Sequence, residues 1–241
     1  MQEWTYDTVE DMDQSWVQRL CRFPREPDLL VYLMRSTFML ATRVWLKLYH
    51  RLEISGRENL PKDGSFVIVA NHTSHLDALS ILSALPLKKL HRAFPAAAAD
   101  YFFTSIPRSA LSALIINALP FARKVNIRQS LHLCETLLKN DGNILLLFPE
   151  GTRTQTGEMS EFKPGIGLLL SRIPVSAVPC YIAGGFKAWP KGRILPIPSR
   201  LRLSFGQPRT FRIREKNRGT AQDICRDLKT SVLALVQMKS S

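Results

Sequence analysis

Cysteine is scarce in this sequence, and its four copies are dispersed. They form no C-x-x-C pair and none lies near another: Cys21, Cys134, Cys180 and Cys225. Small disulfide-framed domains and zinc modules need clustered cysteines, so both classes are excluded. We therefore expect a chain that works in a reducing compartment.

Several other signatures are missing as well. The first residues are acidic and lack a positively charged leader followed by an apolar run, so we expect no secretory signal. There is no internal repeat, and 12 glycines with 15 prolines make up only 27 of 241 residues. Fibrous and disordered chains are much richer in these residues. With 45% hydrophobic residues, the chain is expected to fold as one globular unit.

Acidic residues are few: 33 lysines and arginines outnumber 20 aspartates and glutamates, which gives a formal net charge of +13. Residues 1–28 hold seven acids and three bases, so the rest of the chain, with 30 bases and 13 acids, is at +17. Such a charge points to an anionic membrane, a nucleic acid or a phosphorylated substrate. No helix-turn-helix, zinc-finger or aromatic-basic signature accompanies it, so we expect no nucleic-acid partner.

The longest apolar stretch, residues 29–48, is interrupted by Arg35, Arg43 and Lys47. Steps of eight and four place these bases on one side of a helix and leave a broad apolar face. A helix in the membrane interface matches this pattern. A helix packed on the protein's own core, with its bases in water, matches it too. We place a boundary after this apolar-basic segment, with an acidic segment and the helix in 1–50 and one domain in 51–241.

Short β-branched or aliphatic runs alternate with helical patterns in the rest of the chain. Strands are predicted at 65–70, 144–148, 175–182 and 200–205. Helices are predicted after the first strand, through about residue 85, and at 128–139. This alternation predicts a single α/β domain whose sheet is mostly parallel or mixed and is flanked by helices. Polar clusters at 71–77 and 148–153 directly follow two of the strands, where ligands bind in such folds.

The first polar cluster contains groups suited to acyl transfer. An alcohol needs a base to remove its proton, and His72 is a candidate base at a strand end. Asp77 lies about 140° away in a continuous helix, but a turn before the helix would let it orient the imidazole. The alternative is that Asp77 is only a helix-capping residue and His72 a core histidine. A metal held by His72, His75 and Asp77 has no further ligands in sequence, so we expect none.

The second polar cluster contains groups suited to a polyol phosphate. Glu150 can accept from a hydroxyl, Gly151 lets the backbone come close, and Arg153 can bind phosphate oxygens. The alternative is a solvated turn in which a Glu–Arg pair contributes little.

Together the two clusters resemble sequence blocks of a known family. The segment NHTSHLD at 71–77 is similar to the His-x4-Asp block of the glycerophospholipid acyltransferases, which include the 1-acylglycerol-3-phosphate acyltransferases, and FPEGTR at 148–153 is similar to their acceptor-binding block. LPFAR at 119–123, AVP at 177–179 and the F-K-x-G stretch ending at Gly165 resemble weaker blocks. The resemblance extends from about residue 52 to 208.

The resemblance implies a glycerol-3-phosphate acyltransferase-like domain at 51–241. His72 and Asp77 would be catalytic, and the acceptor-binding residues would be Arg123, Glu150, Gly151, Thr152, Arg153 and Lys163. The acceptor would be a lysophospholipid such as 1-acylglycerol 3-phosphate. The donor would be acyl-CoA or acyl carrier protein, with no cofactor and no metal. The protein would associate with membrane phospholipids, at the cytoplasmic face.

Other functions are weighed against the same pattern. A lysophospholipid transacylase, or an enzyme that acylates another acceptor such as lyso-ornithine lipid, would use the same residues. A catalytically degenerate membrane-binding protein would account for the charge and the apolar helix, but not for two complete polar clusters. A hydrolase with a serine nucleophile is disfavoured because the chain has no G-x-S-x-G.

Overall fold

A computed structural model describes residues 29–98, 117, 119–121, 127–211 and 218–237. The acidic segment at 1–28 and Arg123 lie outside the described residues. Within them, the chain forms one seven-stranded sheet in the order β1-β7-β6-β2-β5-β3-β4. The strands are β1 Glu53–Ser55, β2 Phe66–Ala70, β3 Ala93–Ala98, β4 Leu119–Phe121, β5 Ile144–Leu147, β6 Ser176–Ala183 and β7 Arg202–Phe205.

The sheet is mixed. Strands β6, β2, β5, β3 and β4 run parallel to one another, and β7 pairs antiparallel with β6 and parallel with β1. The predicted α/β class with a mostly parallel or mixed sheet is therefore confirmed. The four predicted strands are all present, with ends shifted by at most two residues.

Helices cover both faces of the sheet. They are α1 Leu29–Tyr49, α2 Asp77–Ala84, α3 Ile127–Lys139, α4 Gly165–Leu170, α5 Gly185–Ala188 and α6 Arg218–Gln237. Helices α3, α4 and α6 pack on one face, and α1 and α2 pack on the other.

Strand β2 shows why the sheet lies in the middle. Val67 and Val69 point into one core cluster, whereas Phe66, Ile68 and Ala70 point into the cluster on the opposite face. All five residues are buried. A central parallel strand is covered on both sides, so its sequence is continuously apolar instead of alternating.

Helix α1 has an orientation that the sequence did not predict. Its buried residues are Arg35, Met39, Thr42 and Leu46. Arg35 donates to Asn117 at 3.4 Å, and Arg43 donates to the carbonyl of Leu85. The expectation that the bases of this helix face away from the protein is therefore wrong for Arg35 and Arg43, because both donate hydrogen bonds to uncharged oxygens of the underlying structure. Lys47 is exposed.

The outward face of α1 is apolar instead. It exposes Leu33, Met34, Phe38, Leu40, Val44 and Leu48. By length and composition, α1 is also the one described helix that is able to cross a membrane. Its inner face contributes Met39 and Leu46 to the core, so the helix packs on the domain while presenting an apolar surface outward. The proposed boundary after residue 50 stays a prediction.

Candidate active site

Both polar clusters lie at one edge of the sheet. Strands β2 and β5 are parallel neighbours, and Val69 is opposite Leu147 near their carboxyl ends. The loops that follow the two strands therefore leave the sheet side by side, as the sequence predicted.

A turn brings His72 and Asp77 into contact. Nδ1 of His72 lies 2.9 Å from Oδ2 of Asp77. The same oxygen accepts from the backbone N–H groups of Thr73 at 2.6 Å and Ser74 at 2.7 Å. Asp77 is fully buried and is the first residue of α2. The N-terminus of α2 has no side-chain cap, so the alternative that Asp77 is only a capping residue is wrong. Its oxygen instead holds the turn before the helix and contacts the imidazole of His72.

The imidazole of His72 is fixed on its face as well as its edge. The ring of Phe148 stacks on it with centroids 4.1 Å apart and an interplanar angle of 18°. A hydrogen bond from Nδ1–H to Asp77 makes Nε2 the nitrogen with a free lone pair. The side chain is 20% exposed, so the ring can be reached from outside. This is the geometry required of a histidine that accepts a proton from a substrate.

The second loop holds the backbone of His72 on both sides. The N–H of His72 donates to Oε1 of Glu150 at 2.6 Å, and its carbonyl accepts from the N–H of Thr154 at 2.9 Å. Oε2 of Glu150 accepts from both the N–H and the hydroxyl of Ser160, each at 2.9 Å. Glu150 is 2% exposed. Its carboxylate therefore braces the loops, and its contact with an acceptor hydroxyl stays a prediction.

Arg153 packs against His75 of the first loop. Its guanidinium Nη1 contacts the imidazole nitrogens of His75. Burial, together with the nearby charge of Arg153 and a smaller effect of His72, lowers the pKa of His75 to about 4, while Asp77 opposes the shift. His75 is therefore neutral at physiological pH and can accept a hydrogen bond from Arg153 without repelling it. The cation is held where the two loops meet.

Lys163 adds a second cation to the second loop. Gly151 has φ +74°, and a Cβ there would lie 2.6 Å from Nζ of Lys163, so the lysine passes directly over this glycine. The N–H of Lys163 donates to the carbonyl of Pro149 at 2.9 Å. Thr152 is exposed. The structure thus brings together every predicted site residue that it describes, and Arg123 lies outside the described residues.

Some contributors to the site were missed by sequence reasoning. Ser160 and Thr154 hold Glu150 and His72, but isolated hydroxyl residues in a loop give no sequence signal. A Cβ on Gly185 would lie 2.6 Å from Oγ1 of Thr73 and 3.0 Å from Oδ1 of Asp77. Only glycine fits there, and the Gly184-Gly185 pair after a buried strand is the sequence signal that could have indicated this close approach. In the described part of the chain, no three His, Cys, Asp or Glu residues cluster as metal ligands.

Comparison with known proteins identifies the family of the chain. A family model described as Acyltransferase matches residues 51–183, which include His72, Asp77 and the whole second loop. The chain belongs to this acyltransferase family. Two curated members show the range of the similarity. The chain is 28% identical over 187 residues to the chloroplastic 1-acyl-sn-glycerol-3-phosphate acyltransferase LPAT1 of Arabidopsis thaliana, covering 76% of this chain and 49% of the relative. It is 30% identical over 132 residues to the human 1-acyl-sn-glycerol-3-phosphate acyltransferase alpha, covering 54% and 44%.

The fold is also found in a crystal structure of a family member. The 1-acyl-sn-glycerophosphate (LPA) acyltransferase PlsC from Thermotoga maritima superposes with a TM-score of 0.60, over 87% of this chain and 81% of that one. At 23% identity this similarity establishes the fold. The chain spans about half the length of the two curated relatives described above.

Proposed function

We propose that the protein transfers a fatty acyl group from an acyl thioester to the free hydroxyl of a lysophospholipid such as 1-acylglycerol 3-phosphate. The observation that carries the proposal is the contact of 2.9 Å between Nδ1 of His72 and Oδ2 of Asp77. Glu150 of the second polar cluster accepts a hydrogen bond from the backbone of His72 and so holds this loop in place. The names of the relatives support the same reaction class.

In the proposed reaction, Nε2 of His72 removes the proton from the acceptor hydroxyl. The oxygen attacks the thioester carbonyl, and the tetrahedral intermediate collapses with loss of the thiolate. The imidazolium then returns its proton to this thiolate, so His72 ends as it began. Asp77 keeps the imidazole in the required tautomer and stabilises its charged form.

Cations in and near the second polar cluster are proposed to bind the phosphate of the acceptor. Arg153 can bind phosphate oxygens with two parallel N–H groups, whereas Lys163 offers a point charge. Arg123 is proposed to join them, and Gly151 and Thr152 to let the acceptor backbone approach. Glu150 contributes by holding His72, and any direct acceptor contact is additional.

The donor is proposed to be acyl-CoA or acyl carrier protein, and the place of reaction the cytoplasmic membrane surface. The outward apolar face of α1 supports membrane association, since it leaves at least six large apolar side chains in contact with solvent. A lysophospholipid lies in the bilayer with its head group at the surface, so an enzyme attached there reaches it without extraction.

The test is a labelled acyl-transfer assay with purified full-length protein. Acyl-CoA and acyl carrier protein are each offered with 1-acylglycerol 3-phosphate, glycerol 3-phosphate, other lysophospholipids and lyso-ornithine lipid. We expect thioester-dependent product with a phosphate-bearing lyso-lipid, at a rate that His72→Ala lowers by about 10²–10⁴-fold. Transfer from labelled phospholipid without thioester would show a transacylase instead. Absence of transfer under all combinations would overturn the proposal.

A further inference from the structure

A short loop beside the active site exposes two large apolar side chains. Ile194 is 86% exposed and Leu195 is 71% exposed, in the loop 190–197 that follows α5. The loop is folded, because Nε1 of Trp189 donates to the carbonyl of Arg193 at 2.9 Å and the N–H of Ile197 donates to Ala188 at 3.0 Å. Exposing these two side chains to water does not stabilise the fold. An exposed apolar patch rimmed by polar residues is typical of a site that contacts a membrane or another protein.

The 190–197 loop is joined to the outward face of α1. The hydroxyl of Tyr49, in the last turn of α1, donates to the carbonyl of Pro196 at 3.3 Å. Beneath this contact, Leu46, Ala188 and Leu201 belong to one buried cluster, with Trp45 and Trp189 packed against it. The exposed end of α1, at Leu48, and the exposed loop are thus supported by the same core.

The charge around the loop is of one sign. No acidic residue occurs between Leu29 and Leu52 or between Phe162 and Arg214. Lys187, Lys191 and Arg193 are exposed around the apolar residues. An apolar tip with cations at its base is complementary to an anionic bilayer, where the apolar part enters the acyl boundary and the cations remain at the head groups.

The loop is also attached directly to the active site. The carbonyl of Trp189 accepts from the hydroxyl of Ser74 at 2.9 Å and from the N–H of His75 at 3.2 Å. The rings of His75 and Trp189 lie 5.0 Å apart. Trp189, which immediately precedes residues 190–197, therefore connects this loop to the loop that carries His72.

We propose that residues 190–197 insert into the surface of an anionic phospholipid bilayer, as a second membrane contact beside α1, and that this contact holds the His72 loop at head-group level. The membrane contact stands on its own evidence. Its consequence for catalysis rests on the proposed acyl transfer, which brings a bilayer lipid to His72.

The first test measures vesicle binding of the full-length protein. The double variant Ile194→Ser, Leu195→Ser is compared with Leu233→Ser, Val236→Ser, which removes two residues of α6 that are each 44% exposed. Helix α6 packs on the opposite face of the sheet from α1, so the second variant is a matched control. On phosphatidylcholine vesicles containing phosphatidylglycerol, we expect the partition coefficient of the loop variant to fall by about tenfold or more. The reason is that the variant lacks the two aliphatic side chains that the parent protein buries in the bilayer. The control should change little. An unchanged loop variant would overturn the proposal.

The second test locates the loop relative to the bilayer. Leu195→Trp should add tryptophan emission that brominated phospholipids quench, beyond the quenching of the parent protein. No added quenching would overturn the proposal. Sedimentation velocity without lipid tests whether the loop instead contacts a second copy of the chain. If the parent is a dimer, the loop variant is a monomer and vesicle binding is unchanged, the surface joins two copies and the proposal is wrong.

The third test separates this inference from the proposed function. With a short-chain acceptor dispersed as monomers, the loop variant should turn over like the parent, whereas with a vesicle-embedded acceptor its rate should fall in parallel with binding. Loss of vesicle binding in a protein that transfers no acyl group would leave the loop assignment intact and overturn only the acyl transfer. Equal rates of parent and variant on vesicles would overturn the catalytic part of the inference.

Discussion

The backbone N–H of His72 donates to the carboxylate of Glu150 at 2.6 Å, across two loops that are 78 residues apart in sequence. The two sequence blocks are consequently one structural unit. The other oxygen of Glu150 is held by Ser160, so the carboxylate cannot leave without breaking three hydrogen bonds. The position of the His72 imidazole, the proposed base, therefore depends on a residue of the polar cluster that is expected to bind the acceptor.

Replacing Glu150 by glutamine should destabilise the protein and slow it. Glutamine has one acceptor oxygen, so its NH2 group must face either the N–H of His72 or the donors of Ser160. We expect a loss of about 2–3 kcal/mol in the free energy of unfolding, as for a buried donor left without an acceptor. The value of kcat should fall more than the acceptor KM rises. Glu158→Gln, the same change at an exposed position of the same loop, is the control. A raised acceptor KM at unchanged kcat would instead show that Glu150 contacts the acceptor.

His72→Ala should abolish most activity without unfolding the protein. Loss of a general base lowers the rate by about 10²–10⁴-fold. Asp77→Asn should cost less activity, since an amide oxygen can still accept from Nδ1–H, but it should also lower stability because two backbone N–H groups lose a charged acceptor. Steady-state kinetics and urea unfolding of both variants provide the measurement, with Asp63→Asn at an exposed position as control. A folded His72→Ala protein with near parental turnover contradicts the assignment.

Arg153→Ala should chiefly raise the KM of the acceptor. Removal of a guanidinium that binds a phosphate weakens acceptor binding, and a further loss of kcat measures its use in the transition state. Arg123→Ala is expected to act in the same direction. Arg226→Ala serves as control, because Arg226 lies on the exposed side of α6, where it forms an ion pair with Asp223 at 3.4 Å. Kinetics with each substrate varied in turn decide the matter: an increase in the donor KM only would place these arginines at the thioester.

Acid should destabilise the protein partly through His75. In the unfolded chain His75 takes up a proton near its ordinary pKa of 6.5, whereas in the folded protein it does so only near a pKa of about 4. Between these values the unfolded state binds more protons, so stability falls as the pH is lowered through this window. His75→Gln should flatten that part of the pH dependence in urea unfolding at pH values from about 7 to about 5. A variant with the same slope as the parent would show that His75 is protonated normally in the fold.

Helix α1 should bind vesicles mainly through its apolar residues. Leu40→Asn with Val44→Asn should release the protein from neutral vesicles, and high salt should have a smaller effect, because Arg35 and Arg43 face the protein and not the lipid. Deleting the helix is a poorer test, since it would also remove Met39 and Leu46 from the core and expose the residues they cover. Flotation with neutral and anionic liposomes at low and high salt provides the measurement. Retention of the double variant on neutral vesicles contradicts a lipid-facing α1.

Much of the fold was predictable because its central strands are continuous apolar runs, as in β2 and β5. The elements that sequence reasoning missed lack such runs. Strand β3 is largely alanine and is ordered by pairing with β5, and β1 is three residues long and pairs with β7 across about 150 positions of sequence. Their pairing partners are distant, so no local pattern identifies them.

Within the site, residue types and spacing identified His72, Asp77, Glu150 and Arg153. The role of each residue was not predictable, because it depends on contacts between segments that are distant in sequence. The role of Glu150 follows from its contact with a backbone N–H, and the inward direction of Arg35 and Arg43 follows from polar groups that underlie α1. Periodicity places side chains on one side of a helix, but it does not say which side meets the protein.

The shared oxygen of Asp77 couples two backbone hydrogen bonds to the support of His72, the proposed base. The N–H groups of Thr73 and Ser74 and the imidazole of His72 all donate to this one atom. Those two amides can exchange with deuterium only when the carboxylate moves away, which is also when the imidazole loses its partner. The exchange rate of two backbone amides in the resting protein therefore reports how often His72 is left unsupported, without any substrate or turnover.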